Sequence, residues 1–132
     1  MILVDSSVWI GYFNGQINPQ TDWLDSALGR EIIVVGDLIL VEILQGFRSD
    51  RDFRKAKELL LNFQFMEMLG RELAIKSAEN YRLLRRKGVT VRKAIDVIIG
   101  TFCIHHNLSL LHDDQDFVPL TKHLGLNAVK CG

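Results

Sequence analysis

At four places this 132-residue chain puts carboxylates where core side chains are expected. Asp5 ends the apolar run Ile2-Leu3-Val4, and Glu42 interrupts the apolar stretch from Leu38. Asp96 interrupts the still more apolar Ala94 to His105, and Asp113, Asp114 and Asp116 follow Leu108 to Leu111. Desolvating a carboxylate costs several kcal/mol, so buried acids are paired or bound to a metal. No Lys or Arg stands close to Asp5 or Glu42 in sequence as an obvious mate. Taken singly, each acid reads as a helix cap or a turn residue. Taken together, converging acids repel one another and require a counter-charge, for which a divalent cation is the simplest source.

Carboxylate oxygens are hard ligands and suit Mg²⁺ or Mn²⁺, whereas zinc prefers His and Cys. The four histidines lack zinc spacing: His105 and His106 are adjacent, and His112 and His123 stand apart. An acid-held magnesium ion serves phosphate chemistry by neutralising phosphoryl oxygens and activating water. An aspartyl-phosphate enzyme built on Asp5 is the competing reading, but that pattern wants a second acid two residues later, where Ser7 stands, and no Gly-rich phosphate loop is present. Arg82, Arg85, Arg86, Lys87, Arg92 and Lys93 place six cations in twelve residues just before Asp96. Such a run reads either as a solvated helix face or as a surface that neutralises nucleic-acid phosphates.

The elements that must position these groups follow from the hydrophobic pattern. Ile2 to Val4, Ile32 to Val35, Phe65 to Glu67, Leu108 to Leu111 and Asn127 to Val129 read as strands. Between them lie helical stretches over Val8 to Phe13, Pro19 to Leu28, Leu38 to Phe47, Asp50 to Leu61, Glu72 to Lys87, Ala94 to His105 and Val118 to Leu124. In the third of these, Leu38, Val41, Leu44 and Gln45 share a face. Strands alternating with helices indicate an α/β fold with a parallel sheet of four to five strands covered on both faces. Ligands of such sheets sit at the carboxyl ends of the strands, the positions of Asp5 and of the 113–116 acids.

Composition narrows the class. With 48% apolar and 24% charged residues, residues 1–132 are expected to form one globular domain, without linker or low-complexity tail. Sixteen basic residues balance sixteen acidic ones, so net charge names no partner. Their distribution is uneven: six acids face only Arg30 up to Gly46, whereas residues 47–93 hold thirteen of the sixteen bases. Cys103 and Cys131 form neither a disulfide framework nor a CxxC motif. The three apolar residues before Asp5 are too few for a signal-peptide core, and no stretch nears a membrane span. A soluble cytoplasmic protein is expected.

The series Val4-Asp5-Ser6-Ser7-Val8-Trp9-Ile10, Leu40-Val41-Glu42-Ile43-Leu44-Gln45-Gly46, Arg92-Lys93-Ala94-Ile95-Asp96-Val97-Ile98-Ile99-Gly100 and Leu110-Leu111-His112-Asp113-Asp114-Gln115-Asp116-Phe117 resembles the PIN-domain ribonucleases. Within them it looks most like the VapC-type toxins of bacterial toxin–antitoxin pairs. The resemblance covers essentially the whole chain. It implies a PIN-like three-layer domain with acids gathered in one cleft around Mg²⁺ or Mn²⁺, cleavage of single-stranded or loop RNA, a cognate antitoxin that blocks the cleft, and a homodimer. The aromatic helices near Trp9 and Leu38 to Phe47 would supply the dimer interface or belong to the core.

Carried over residue by residue, the resemblance makes Asp5, Glu42 and Asp96 the first three catalytic acids. Asp114 and Asp116 share the fourth position. Asp5, Asp96, Asp114 and Asp116 would hold the metal, Glu42 would orient or deprotonate the attacking water, and Ser7 would help orient it. Arg85, Arg86, Arg92 and Lys93 would bind RNA. Two readings stay open beside this one: a phosphatase or phosphotransfer domain using Asp5, and a non-catalytic partner-binding module in which the acids only cap helices.

Overall fold

Four short parallel strands form the centre of the computed structural model, which describes residues 1–131. Strand β1 (Ile2–Val4) leads into helix α1 (Ser6–Phe13) and α2 (Pro19–Ala27), and β2 (Ile33–Gly36) into α3 (Asp37–Leu44) and α4 (Asp50–Leu60). Strand β3 (Gln64–Met66) precedes α5 (Arg71–Arg86) and α6 (Ala94–His106). Strand β4 (Ser109–Leu111), a 3-10 turn at Gln115–Phe117 and α7 (Val118–Leu124) complete the order. The sheet order is β3-β2-β1-β4, with Leu3 opposite both Val34 and Leu110. The parallel α/β architecture expected from the sequence is therefore present. Among the described residues no helix is long and apolar enough to cross a membrane.

Strands β1 and β2 occupy the middle because they are apolar on both faces. Leu3, Val4, Val34 and Val35 are at most 1% exposed, as befits strands covered above and below. The chain leaves β1 towards β2 and β3 and returns to place β4 on the other side of β1. The connections therefore part between β1 and β4, which opens a crevice at their carboxyl ends. Asp5 is the first residue beyond β1, and its N–H donates to the Leu111 carbonyl at the end of β4, 2.9 Å away.

Two expectations need correction. The terminal strand expected at Asn127 to Val129 reduces to one bridge between Leu110 and Ala128, which leaves the sheet at four strands among the described residues, within the expected four to five. Helix α3 buries Ile39 and Ile43, while Val41 is 59% exposed and Gln45 lies outside the core. Its run of apolar residues carries almost no directional pattern, so packing decides its rotation. Trp9 is fully buried against Tyr12, Phe13 and Phe63 and belongs to the core, not to an interface.

The start of α3, which carries Glu42, is fastened by an acid that the sequence pattern did not single out. Asp37 Oδ1 accepts from the Leu38 N–H at 2.8 Å and from the Met68 N–H at 3.0 Å. The Met68 side chain packs where a Cβ on Gly36 would stand, so a larger residue there would force that side chain to shift. Removing the carboxylate leaves the Met68 amide without its acceptor. Asp37→Ala is expected to lower stability by about 1–3 kcal/mol and Asp37→Asn by much less, as read by urea denaturation; equal losses for both would contradict this bond's role.

Candidate active site

The acids singled out in the sequence come from four separated segments and meet at the β1/β4 crevice. Asp5 is 4% exposed and caps α1: its Oδ2 accepts from the Ser7 N–H at 3.1 Å and from Ser7 Oγ at 2.6 Å. Ser7 Oγ in turn accepts from the Asp113 N–H at 3.1 Å, tying the loop after β4 to the start of α1. The single proton of Ser7 is thus given to Asp5, so towards a water this hydroxyl acts as an acceptor. Ser6, which the sequence reading passed over, donates to Glu42 Oε1 at 3.2 Å. Two adjacent hydroxyls on the first turn of α1 therefore steady two different acids.

Asp96, in the first turn of α6, is 4% exposed, and its Oδ2 is buried without a hydrogen-bond donor. Asp114 caps the 3-10 turn by accepting from the Asp116 N–H at 2.9 Å. Asp96, Asp114 and Asp116 each offer a carboxylate oxygen within 4.8 Å of the others. Asp5 stands outside this triad but close enough to act on Asp96 electrostatically, and it acts in turn on Glu42. On the opposite side of the balance, Arg92 Nη2 donates to both oxygens of Asp116 at 3.0 and 3.1 Å. Lys93 Nζ lies 3.6 Å from Asp114 and 3.9 Å from Asp96.

Crowding of like charge is visible in the proton affinities. Burial raises the Asp96 carboxyl to about 6; Lys93 opposes the rise, and Asp114, Asp5 and Asp116 add to it. Glu42 is raised by burial and by Asp5, and Asp5 is raised by burial against the pull of its serine hydrogen bonds. His112 is lowered by burial, and its Nδ1 accepts from the Asp114 N–H at 3.2 Å, which leaves the ring proton on Nε2. A hard divalent cation fits this donor set. All ligands are carboxylate oxygens, one of them is buried and orphaned, and the nearby ammonium approaches no closer than 3.6 Å.

The remaining basic candidates lie apart. Arg85 and Arg86 close the last turn of α5, with the Arg85 guanidinium 5.3 Å from the Tyr81 ring centroid. Arg82 and Arg85 edge an apolar cleft of about 440 Å³ between α5 and α6, and no ion pair joins Arg85 or Arg86 to the acids among the described residues. Among the described residues no contact links either arginine to the acid cluster.

Comparison with known proteins places this geometry in context. The PIN domain family model matches residues 2–122. The curated protein named ribonuclease VapC11 of Mycobacterium tuberculosis is 28% identical over 130 residues, covering 97% of each chain. Among solved structures, VapBC2 from Rickettsia felis bound to a promoter DNA fragment matches with a TM-score of 0.78 at 14% identity, over 100% of both chains. The sarcin-ricin loop cleaving toxin VapC20 of Mycobacterium tuberculosis matches with a TM-score of 0.71 at 15% identity, over 98% of this chain and 99% of that one. At such identities the structural likeness is one of fold.

The raised Asp96 carboxyl fixes a pH dependence. A folded-state value of about 6, above an unfolded value of about 3.9, gives a stabilising contribution fully present below the lower value and lost as pH rises through the higher. In EDTA, Asp96→Asn should therefore gain stability relative to wild type between about pH 4 and pH 7. His112 works in the opposite sense but is common to both proteins. Thermal stabilisation of wild type by Mn²⁺ should fade as pH falls through about 6, since proton and cation compete for the same oxygens. Urea titrations across this range are the check; a stability difference that does not move with pH contradicts the assignment.

Proposed function

The chain belongs to the PIN domain family, and from that membership we propose that it is a metal-dependent endoribonuclease, the toxin of a toxin–antitoxin pair, which cleaves single-stranded or loop RNA. One observation carries the reading: Asp5, Glu42, Asp96, Asp114 and Asp116 converge from four distant segments on the crevice between β1 and β4. The ribonuclease names of relatives 28% identical over nearly the full chain support it. So does the likeness of fold to a toxin described as cleaving the sarcin-ricin loop. Structural neighbours solved as toxin–antitoxin complexes support a cognate antitoxin as partner. A cytoplasmic location fits this reading, in which the protein meets both RNA and antitoxin. A homodimer fits the same reading, with Ile10 and Val41, 40% and 59% exposed on α1 and α3, as residues a second copy would cover.

In this mechanism Asp96, Asp114 and Asp116, with Asp5 beside them, would hold Mg²⁺ or Mn²⁺. When bound, such a cation would supply neutralisation of the scissile phosphate and activation of the attacking water. Glu42 takes the proton of that water: its carboxylate is steadied by Ser6, and burial together with Asp5 raises its basicity. The water oxygen attacks phosphorus as a P–O ester bond breaks, and the departing oxygen takes up a proton from solvent. Ser7 locks the Asp5 carboxylate in orientation and offers an acceptor to solvent. Arg92 and Lys93, at the mouth of the crevice, would hold the backbone phosphates, and Arg85 and Arg86, on the last turn of α5, would meet RNA further from the scissile bond.

Neither competing reading accounts for the geometry as well. An aspartyl-phosphate mechanism wants a second acid at position 7, where the Ser7 hydroxyl instead donates to Asp5. Capping explains Asp5 and Asp114 but not Glu42 in mid-helix, nor the orphaned oxygen of Asp96.

Asp5→Asn preserves an acceptor for the Ser7 amide while removing a charge, so the fold should survive, as read by circular dichroism. Mn²⁺-dependent cleavage of a pool of structured RNAs should drop by about 100-fold or more. Glu42→Gln should lower kcat while retaining Mn²⁺ binding. An Asp5→Asn protein with wild-type turnover, or cleavage that persists in EDTA, defeats the assignment.

A further inference from the structure

Lys93 stands where helix physics disfavours it. It is the N-cap of α6, a position that prefers Ser, Thr, Asp or Asn, and it makes no side-chain cap bond. Its positive charge also sits at the positive end of the helix dipole. Its side chain nevertheless folds back over the first turn of the same helix, between Asp96 and Asp114. Those acids supply the compensation. The ammonium is also raised in proton affinity by Asp96 first and then, against desolvation, by Asp114, Asp116 and Glu42, so four acids act on this one cation.

The fit is close but loose. Distances of 3.6 and 3.9 Å exceed the roughly 2.8 Å of a direct ammonium–carboxylate hydrogen bond, and the side chain is 54% exposed. Arg92 behaves differently, since one guanidinium nitrogen reaches both oxygens of Asp116. Of the two neighbouring cations, Arg92 fixes an acid on the rim, whereas Lys93 hovers over the buried one. Asp96 Oδ2 remains without a hydrogen-bond donor even with Lys93 present, so the ammonium screens this oxygen without satisfying it.

We propose that Lys93 is the resting counter-ion of the acid cluster: a divalent cation displaces it from between Asp96 and Asp114, and the freed ammonium pairs with an RNA phosphate beside the scissile bond. This rests on the metal-dependent ribonuclease reading above. The exchange keeps a positive charge against Asp96 and Asp114 in both states. A flexible four-carbon stem carrying a compact charge suits such a swing better than a planar guanidinium. Metal affinity is correspondingly weakened by the displacement, because one positive charge must leave as another enters.

The test is calorimetric Mn²⁺ titration of the full chain, comparing wild type with Lys93→Met, Lys93→Arg and, as a surface-charge control, Lys57→Met on α4. Lys93→Met is expected to bind Mn²⁺ about five- to ten-fold more tightly and to have a lower Tm in EDTA. Lys93→Arg and Lys57→Met should bind close to wild type. With Mn²⁺ saturating, Lys93→Met should raise KM for RNA several-fold, retain most of kcat, and reduce the salt dependence of binding by about one counter-ion. Unchanged or weaker Mn²⁺ binding by Lys93→Met overturns the proposal, as do equal changes in the Met and Arg variants. Should Lys93→Met not fold, Lys93→Gln carries the same expectations. A wild-type protein that binds no Mn²⁺ removes the metal reading itself, which is a separate result from wild type binding Mn²⁺ while Lys93→Met binds no better.

Discussion

Carboxylates gathered in a partly dry crevice repel one another, and each has lost much of the water that would otherwise stabilise its charge. Asp5 and Asp96 are both 4% exposed, and Asp96 is raised to about 6 despite a lysine nearby. Such an arrangement opposes folding, so the rest of the molecule must hold it in place. The hydroxyls of Ser6 and Ser7, the guanidinium of Arg92 and the ammonium of Lys93 each relieve part of the strain, and none relieves all of it. What remains uncompensated is the affinity for a hard divalent cation.

The scaffold that tolerates this cost is apolar and rigid around the crevice. Helix α6 buries Val97, Ile99, Phe102 and Cys103 along with Asp96, so the carboxylate is carried by a helix that cannot readily turn away. Burial also pushes the Cys103 thiol up, which keeps it protonated and inert beside the acids. Strands β1 and β4 are fixed in register by three residue pairs, and the acids that follow them inherit that register. Functional residues placed just beyond regular strands are held more precisely than residues on long loops.

Structural and chemical duties fall on the same side chains here. Asp5 caps α1 and Asp114 caps the 3-10 turn, as isolated acids after strands commonly do. Capping requires the carboxylate to point at backbone amides near the strand's carboxyl end, and the crevice opens at that same end. The bland explanation of each acid and the functional explanation of the set are therefore compatible. Asp37 marks the contrast: it also follows a strand, but both of its recorded hydrogen bonds are to amides and it serves only to fasten α3.

Element type and order were legible in the sequence, because strands covered on both faces read as continuous apolar runs and the helices between them end at caps and glycines. Acids interrupting those runs were legible for the same reason: a carboxylate inside an apolar stretch stands out against its neighbours. The rotation of α3 was not legible, since an almost uniformly apolar helix has no preferred face until it packs, and the last expected strand shrank to the bridge at Ala128. Nor was the pairing of Lys93 with Asp114, twenty-one positions later in the chain, or of Ser6 with Glu42 across thirty-six. Local pattern determines which residues are buried or capped, whereas the distances between carboxylates from four segments depend on strand register and crossover direction, which arise only when the sheet assembles.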